Sequence, residues 1–106
     1  MDNGKIYTKV KDEAPAKYNE EAEVRNSIVA DGCFIEGIVE NSILFRGVKV
    51  AKGAVIQNSI VMQATVINQD VSINYTILDK NVVLTKGKNL KGESNWPIVV
   101  GKNSIV

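Results

Sequence analysis

The sequence predicts an all-β chain wound as a parallel β-helix of about five coils, and three observations carry that reading. First, a short phrase keeps returning: Ser27-Ile28-Val29, Ser42-Ile43-Leu44, Ser59-Ile60-Val61, Thr76-Ile77-Leu78 and Ser104-Ile105-Val106. Asn stands before the hydroxyl residue in four of the five, and the middle copies begin 17 residues apart. A fixed period marks a chain built by stacking equal units. Second, a finer beat runs inside each repeat. Apolar pairs two residues apart occur at Val48/Val50, Ala54/Ile56, Ile60/Met62, Thr65/Ile67, Val71/Ile73, Ile77/Asp79 and Val82/Leu84, with Thr65 and Asp79 as imperfect members. The steps between pairs are six, six, five, six, six and five residues, and Ile43/Phe45 lies five residues before Val48. A spacing of two puts both side chains of a pair on one face of a strand. Third, Val and Ile crowd the strand positions while Gly, Asn and Asp fill the corners, a division that suits strands and turns and disfavours helix.

Three such strands per coil make a triangular prism, each strand pairing with the one a coil above it. Coils of 17 or 18 residues suit the narrow left-handed form of the hexapeptide type. Only the two ends of such a stack expose strand edges. A β-sandwich would space its strands about 8–12 residues apart, so the six-residue beat argues against it.

The elements follow in order. Residues 1–21 lack the beat, contain Pro15 and many charges, and read as an extended lead-in or linker. Residues 22–106 form the β-helix, with regular coils over 22–84. A polar stretch at 85–97 with two glycines breaks the rhythm and reads as an irregular loop. The beat resumes at Ile98/Val100, so a final strand returns to the prism.

At 106 residues the chain is one domain, and a solenoid of this length gains stability from neighbouring coils instead of a deep core. A net charge of +1 gives no case for nucleic acid or a membrane surface. Residues 1–20 carry no apolar run, so neither a signal peptide nor a transmembrane span is expected there. The single Cys33 pairs with Ile35 at an inward-type position and fits a reducing cytoplasm.

The chain contains no His, which removes His-based acyl transfer and His-rich zinc sites from consideration. Cys33 lacks a base partner. The carboxylates Asp12, Glu13, Glu20, Glu21 and Glu23 read as a solvated charged segment, and the eight glycines are scattered at corners instead of forming a phosphate loop. No catalytic or metal-binding residue is expected. What remains are basic residues at corners and in the irregular parts, several of which could converge on a phosphate.

The ordered phrases Ile6-Tyr7-Thr8-Lys9, Ala14-Pro15-Ala16-Lys17-Tyr18, Asn26 to Cys33, Val39 to Val48 and Ile77 to Val82 resemble the C-terminal domain of glucose-1-phosphate adenylyltransferase, or ADP-glucose pyrophosphorylase. The Phe45-Arg46-Gly47-Val48 wording and the Lys17-Tyr18 pair look most like the regulatory, D-type subunit of bacterial glycogen biosynthesis. The resemblance implies a parent enzyme that makes ADP-glucose and pyrophosphate from ATP and glucose 1-phosphate with magnesium. Its Gly-rich nucleotide loop is missing here, so the chain reads as the C-terminal domain alone, with no cofactor of its own. The resemblance further implies a role in regulation and oligomer assembly. Its partners would be its own N-terminal catalytic domain, other adenylyltransferase subunits and a phosphorylated sugar effector. It points to Lys17, Arg46, Lys49 and Lys102 as candidate effector residues. Lys102 follows Ile98-Val99-Val100-Gly101 in a context similar to a basic residue tied to activator binding. Lys49 stands where relatives often carry Arg, and Lys presents a point charge in place of a bidentate fork. The alternatives are a hexapeptide acyltransferase, disfavoured by the absent His, and the β-helix tail of another sugar-phosphate nucleotidyltransferase.

Overall fold

A computed structural model describes residues 15–106. Fifteen short strands follow one another: β1 Lys17–Tyr18, β2 Glu23–Arg25, β3 Ile28–Val29, β4 Phe34–Ile35, β5 Ile38–Glu40, β6 Ile43–Leu44, β7 Lys49–Val50, β8 Val55–Gln57, β9 Ile60–Val61, β10 Val66–Ile67, β11 Ser72–Asn74, β12 Thr76–Leu78, β13 Val83–Leu84, β14 Asn89–Lys91 and β15 Ile98–Val100. Every third strand joins the same sheet. The first face is β1-β4-β7-β10-β13, the second β2-β5-β8-β11-β14 and the third β3-β6-β9-β12-β15, all parallel. The chain is thus an all-β parallel solenoid of hexapeptide repeats, five levels deep, with four turns separating the first level from the last.

The core is a column of small and branched apolar side chains down the prism axis, among them Ile35, Ile56, Ile67, Ile73, Leu78 and Leu84, all without solvent exposure. Cys33 and Ile35 are both buried, as their spacing predicts. On the first and second faces the pairs Val48/Val50, Ala54/Ile56, Thr65/Ile67, Val71/Ile73 and Val82/Leu84 all point inward.

On the third face the structure corrects the sequence reading by one residue. Ile43/Phe45, Ile60/Met62 and Ile77/Asp79 were expected to fill the prism. The buried pairs are Ser42/Leu44, Ser59/Val61 and Thr76/Leu78 instead. A one-residue slip sends every side chain of a strand to the opposite face. The physical reason is a hydrogen-bond ladder. The Ser42 hydroxyl donates to the Glu40 carbonyl at 2.7 Å and accepts from the Ser59 N–H at 3.1 Å. Ser59 repeats the motif, donating to the Gln57 carbonyl at 2.7 Å and accepting from the Thr76 N–H at 3.1 Å. Ser27 begins the ladder by accepting from the Ser42 N–H at 3.0 Å. A buried backbone N–H at a corner needs a partner, and the inward hydroxyl supplies it.

The Asn before each hydroxyl makes the corner itself. Asn26, Asn41 and Asn58 have φ of 49, 50 and 51°, in the left-handed region that Asn tolerates best after Gly. Tyr75 occupies the equivalent place with φ of 50°. At the corner between the third and first faces the left-handed column runs Gly32, Gly47, Ala64, Asn81, Asn103. Ala64, with φ of 61°, is the member whose side chain gains nothing from that conformation. We expect Ala64→Gly to raise unfolding stability by roughly 0.5–1 kcal/mol, strain relief outweighing the extra freedom of the unfolded chain. A urea midpoint that falls on substitution would contradict this.

Coil length departs from the expected 17 or 18 residues at one place. Registers such as Lys49 with Val66 step by 17, but Phe34 with Lys49 and Val24 with Val39 step by 15. The two missing residues come from the corner at Glu36-Gly37, where three residues separate Ile35 from Ile38 while five separate Val50 from Val55. A notch opens there, lined by Glu21, Gly37, Ile38, Lys52 and Ala54, and Lys52 reaches Glu21 across it at 3.5 Å.

Residues 15–21 of the expected lead-in already contain β1, paired with β4, while residues 1–14 lie outside the described part. The stretch 85–97 likewise holds β14, paired in register with β11. Only residues 92–97 leave the coil, as a short hairpin in which Glu93 and Trp96 exchange backbone hydrogen bonds of 2.9 and 3.2 Å. No helix among the described residues is long and apolar enough to cross a membrane.

Candidate functional site

The first face places two of the four candidate residues together. Register aligns Lys17 with Phe34 and Phe34 with Lys49, so the two lysines stand on the outer face either side of an aromatic ring that is 41% exposed. Two strand spacings separate their Cα atoms, roughly 10 Å. Pro15, Gly32 and Cys33 complete the lining of an open hollow of about 380 Å³. Arg46 sits on the neighbouring corner, one turn before Lys49 on the same coil, beside a shallow depression left by Gly47 and Ala64. Its carbonyl accepts from the Ala64 N–H at 2.9 Å, which fixes the backbone that carries it.

Lys102 is not part of that group. Corner pairing stacks Asp31, Arg46, Gln63, Lys80 and Lys102 in one edge column, because each contributes the carbonyl or adjoins the N–H of successive levels, as in Asn103 N–H to Lys80 carbonyl at 2.9 Å. Lys102 therefore stands three levels from Arg46, roughly 14 Å along the stack, with Lys80 as its immediate neighbour. Sequence reasoning missed Phe34 between the lysines, because the 15-residue coil that brings it into line gives no periodic signal. It also missed Lys80 as the partner of Lys102 on the edge.

Other groups carry structure instead of chemistry. The Cys33 thiol donates to the Phe45 carbonyl at 3.1 Å, and burial pushes its pKa up, which suppresses the thiolate. Arg25, exposed on the second face, is held between Glu23 and Glu40, the latter at 3.1 Å. The hydrogen bond and charge of Glu23, then the charge of Glu40, raise its already high pKa. No cluster of three or more His, Cys, Asp or Glu side chains suited to a metal occurs among the described residues.

A parallel prism of hexapeptide coils bearing lysines on one face defines the class, and comparison places the chain within it. The family described as GlmU-like, C-terminal hexapeptide, matches residues 11–95, and the chain belongs to that family. It is 47% identical over 100 residues to the glycogen biosynthesis protein GlgD of Bacillus subtilis, and 49% identical over 100 residues to GlgD of Geobacillus stearothermophilus. It is 36% identical over 98 residues to the glucose-1-phosphate adenylyltransferase of Bacillus mycoides. These alignments cover 94%, 94% and 92% of the chain but only 29%, 29% and 26% of the relatives, so it spans less than a third of their length. The resemblance drawn from the ordered motifs is thereby established at the level of family and relatives.

Proposed function

We propose that this chain is the regulatory and assembly domain of a glucose-1-phosphate adenylyltransferase of the GlgD type, acting in glycogen synthesis, and that it performs no chemistry itself. The observation that carries the reading is the alignment of nearly the whole chain with a fraction of GlgD and adenylyltransferase relatives, in a prism whose sequence contains no His. The reaction of the parent enzyme, ATP with glucose 1-phosphate and magnesium, belongs to a preceding catalytic domain. The partners are that domain and further adenylyltransferase subunits, in the cytoplasm. The isolated chain should form no ADP-glucose, and measurable turnover would overturn the proposal.

The effector reading centres on Lys17 and Lys49 with Arg46 beside them, and the ligand class is a phosphorylated sugar. Two ammonium groups flanking a ring suit an anionic ligand whose apolar face rests on Phe34. In a complete enzyme carrying this chain, Lys49→Ala or Arg46→Ala should raise the sugar-phosphate concentration for half-activation about tenfold. That is the loss of one charge-assisted contact worth about 1.5 kcal/mol. Lys102→Ala should have a smaller effect if Lys102 stays at the far end of the prism. Activation curves unchanged in all three would end the effector assignment. Melting temperatures should stay within the range of surface substitutions.

A further inference from the structure

The third face carries an unbroken outward ladder: Ile28, Ile43, Ile60, Ile77 and Val99 stand in register across all five levels. Ile28 is 65% exposed and Val99 67%. The second face is the opposite case, with Glu23, Arg25, Glu40, Gln57, Asn74 and Lys91 turned outward. Outward apolar residues on every level of one face cannot be explained by the core, which the inward Ser/Val and Thr/Leu pairs already fill. A contiguous exposed apolar patch of this kind marks an interaction surface.

The ladder is deepest at its first two levels. There Ala30 is small beside Phe45, and Ile28, Ile43, Phe45 and Gln63 wall an apolar groove of about 250 Å³. That volume suits one large apolar side chain used as an anchor. The groove lies at the level of β1 to β3, the end at which the polypeptide enters the prism.

Size decides the occupant. Five strands at about 4.8 Å and two outward side chains per strand give a footprint on the order of 200–300 Å², well short of the roughly 800 Å² per partner of a stable free complex. A domain tethered in the same polypeptide needs far less area, because the tether supplies an effective concentration near the millimolar range. The relatives devote the larger part of their length to sequence this chain does not cover, which provides such a domain.

We infer that the third face is the seat of the preceding domain of the same polypeptide, which inserts an apolar side chain into the groove between Ile28 and Phe45. The inference rests on the proposed parent enzyme, and it names the surface through which this domain senses and steadies its neighbour.

The test compares this chain alone with a longer polypeptide in which it replaces the corresponding region of the Bacillus subtilis relative. Ile28→Cys reports on the groove and Asn89→Cys on the second face. Alkylation at each position is followed by mass spectrometry of its peptide. Position 28 should react at least about tenfold more slowly in the longer polypeptide, independently of concentration, while position 89 changes less than about twofold. Ala30→Cys, on the groove floor, repeats the measurement should Ile28→Cys fold poorly. Equal reactivity of the groove thiol in both settings overturns the inference. Protection that disappears on dilution also overturns it, since the occupant would then be a second copy. Activation curves of the same polypeptide judge the regulatory reading separately. Loss of effector response with the groove still protected would sink that reading and leave the docking surface standing.

Discussion

Gly37→Ala should be among the most damaging single substitutions in this chain, lowering unfolding stability by about 2–4 kcal/mol. Gly37 is buried in the corner that has lost two residues. Shortening the corner pulls its backbone against the next coil, so an added Cβ would lie 2.3 Å from the Ala54 carbonyl oxygen and 3.1 Å from that of Ala51. Neither oxygen can step aside freely. The Ala54 carbonyl accepts from the Ile38 N–H at 2.9 Å, and the Ala51 carbonyl accepts from the Ala54 N–H at 3.2 Å. Relief would have to break a rung between levels two and three, and in a stack each level holds its neighbours. The demand for glycine here is a matter of space, unlike Gly47, whose φ of 71° is the constraint. Chemical denaturation of Gly37→Ala beside Gly101→Ala, where an added Cβ meets nothing within 4 Å, separates the two kinds of glycine. Equal midpoints for the two variants would refute the close approach.

The same corner shows what the sequence could and could not convey. The repeat and the six-residue beat made the solenoid legible because inward Val, Ile and Leu recur at a spacing of two on the first and second faces. The third face misled because it is apolar on both sides. Its inward position is held by Ser42, Ser59 and Thr76, which alternation logic assigns to solvent, and its outward position by Ile43, Ile60 and Ile77, which the same logic assigns to the core. The clue lay in the phrase itself: a hydroxyl recurring at one fixed place beside a left-handed Asn is a request for a backbone partner. Of the candidate effector residues, Lys17 and Lys49 were legible as basic residues but not as neighbours. Their alignment through Phe34 depends on a 15-residue coil, and a period of 17 would have placed Lys49 out of step with it. Lys102 was legible in its local wording, and its distance from Arg46 follows only from counting levels.

Leu78→Ala should cost about 2–5 kcal/mol, while Ile77→Ala, its neighbour in β12, should cost less than about 1 kcal/mol in the isolated chain. Leu78 has no solvent exposure and packs on the prism axis, so truncation leaves a cavity that the surrounding β-branched side chains cannot fill without leaving their rotamers. Ile77 points outward from the third face and is half-buried, so its loss removes lateral contact with Ile60 and Val99 in the ladder and opens no void. The sequence frame that put Ile77 inward predicts the reverse order. Urea unfolding of both variants decides between the frames, and a larger loss at Ile77 would restore the original one. The comparison also bears on the docking surface. If the ladder is covered by a preceding domain, Ile77→Ala should become costlier in the longer polypeptide than in the chain alone, since burial gives the same side chain a second set of neighbours. Leu78→Ala should cost the same in both, because its surroundings are complete within the prism.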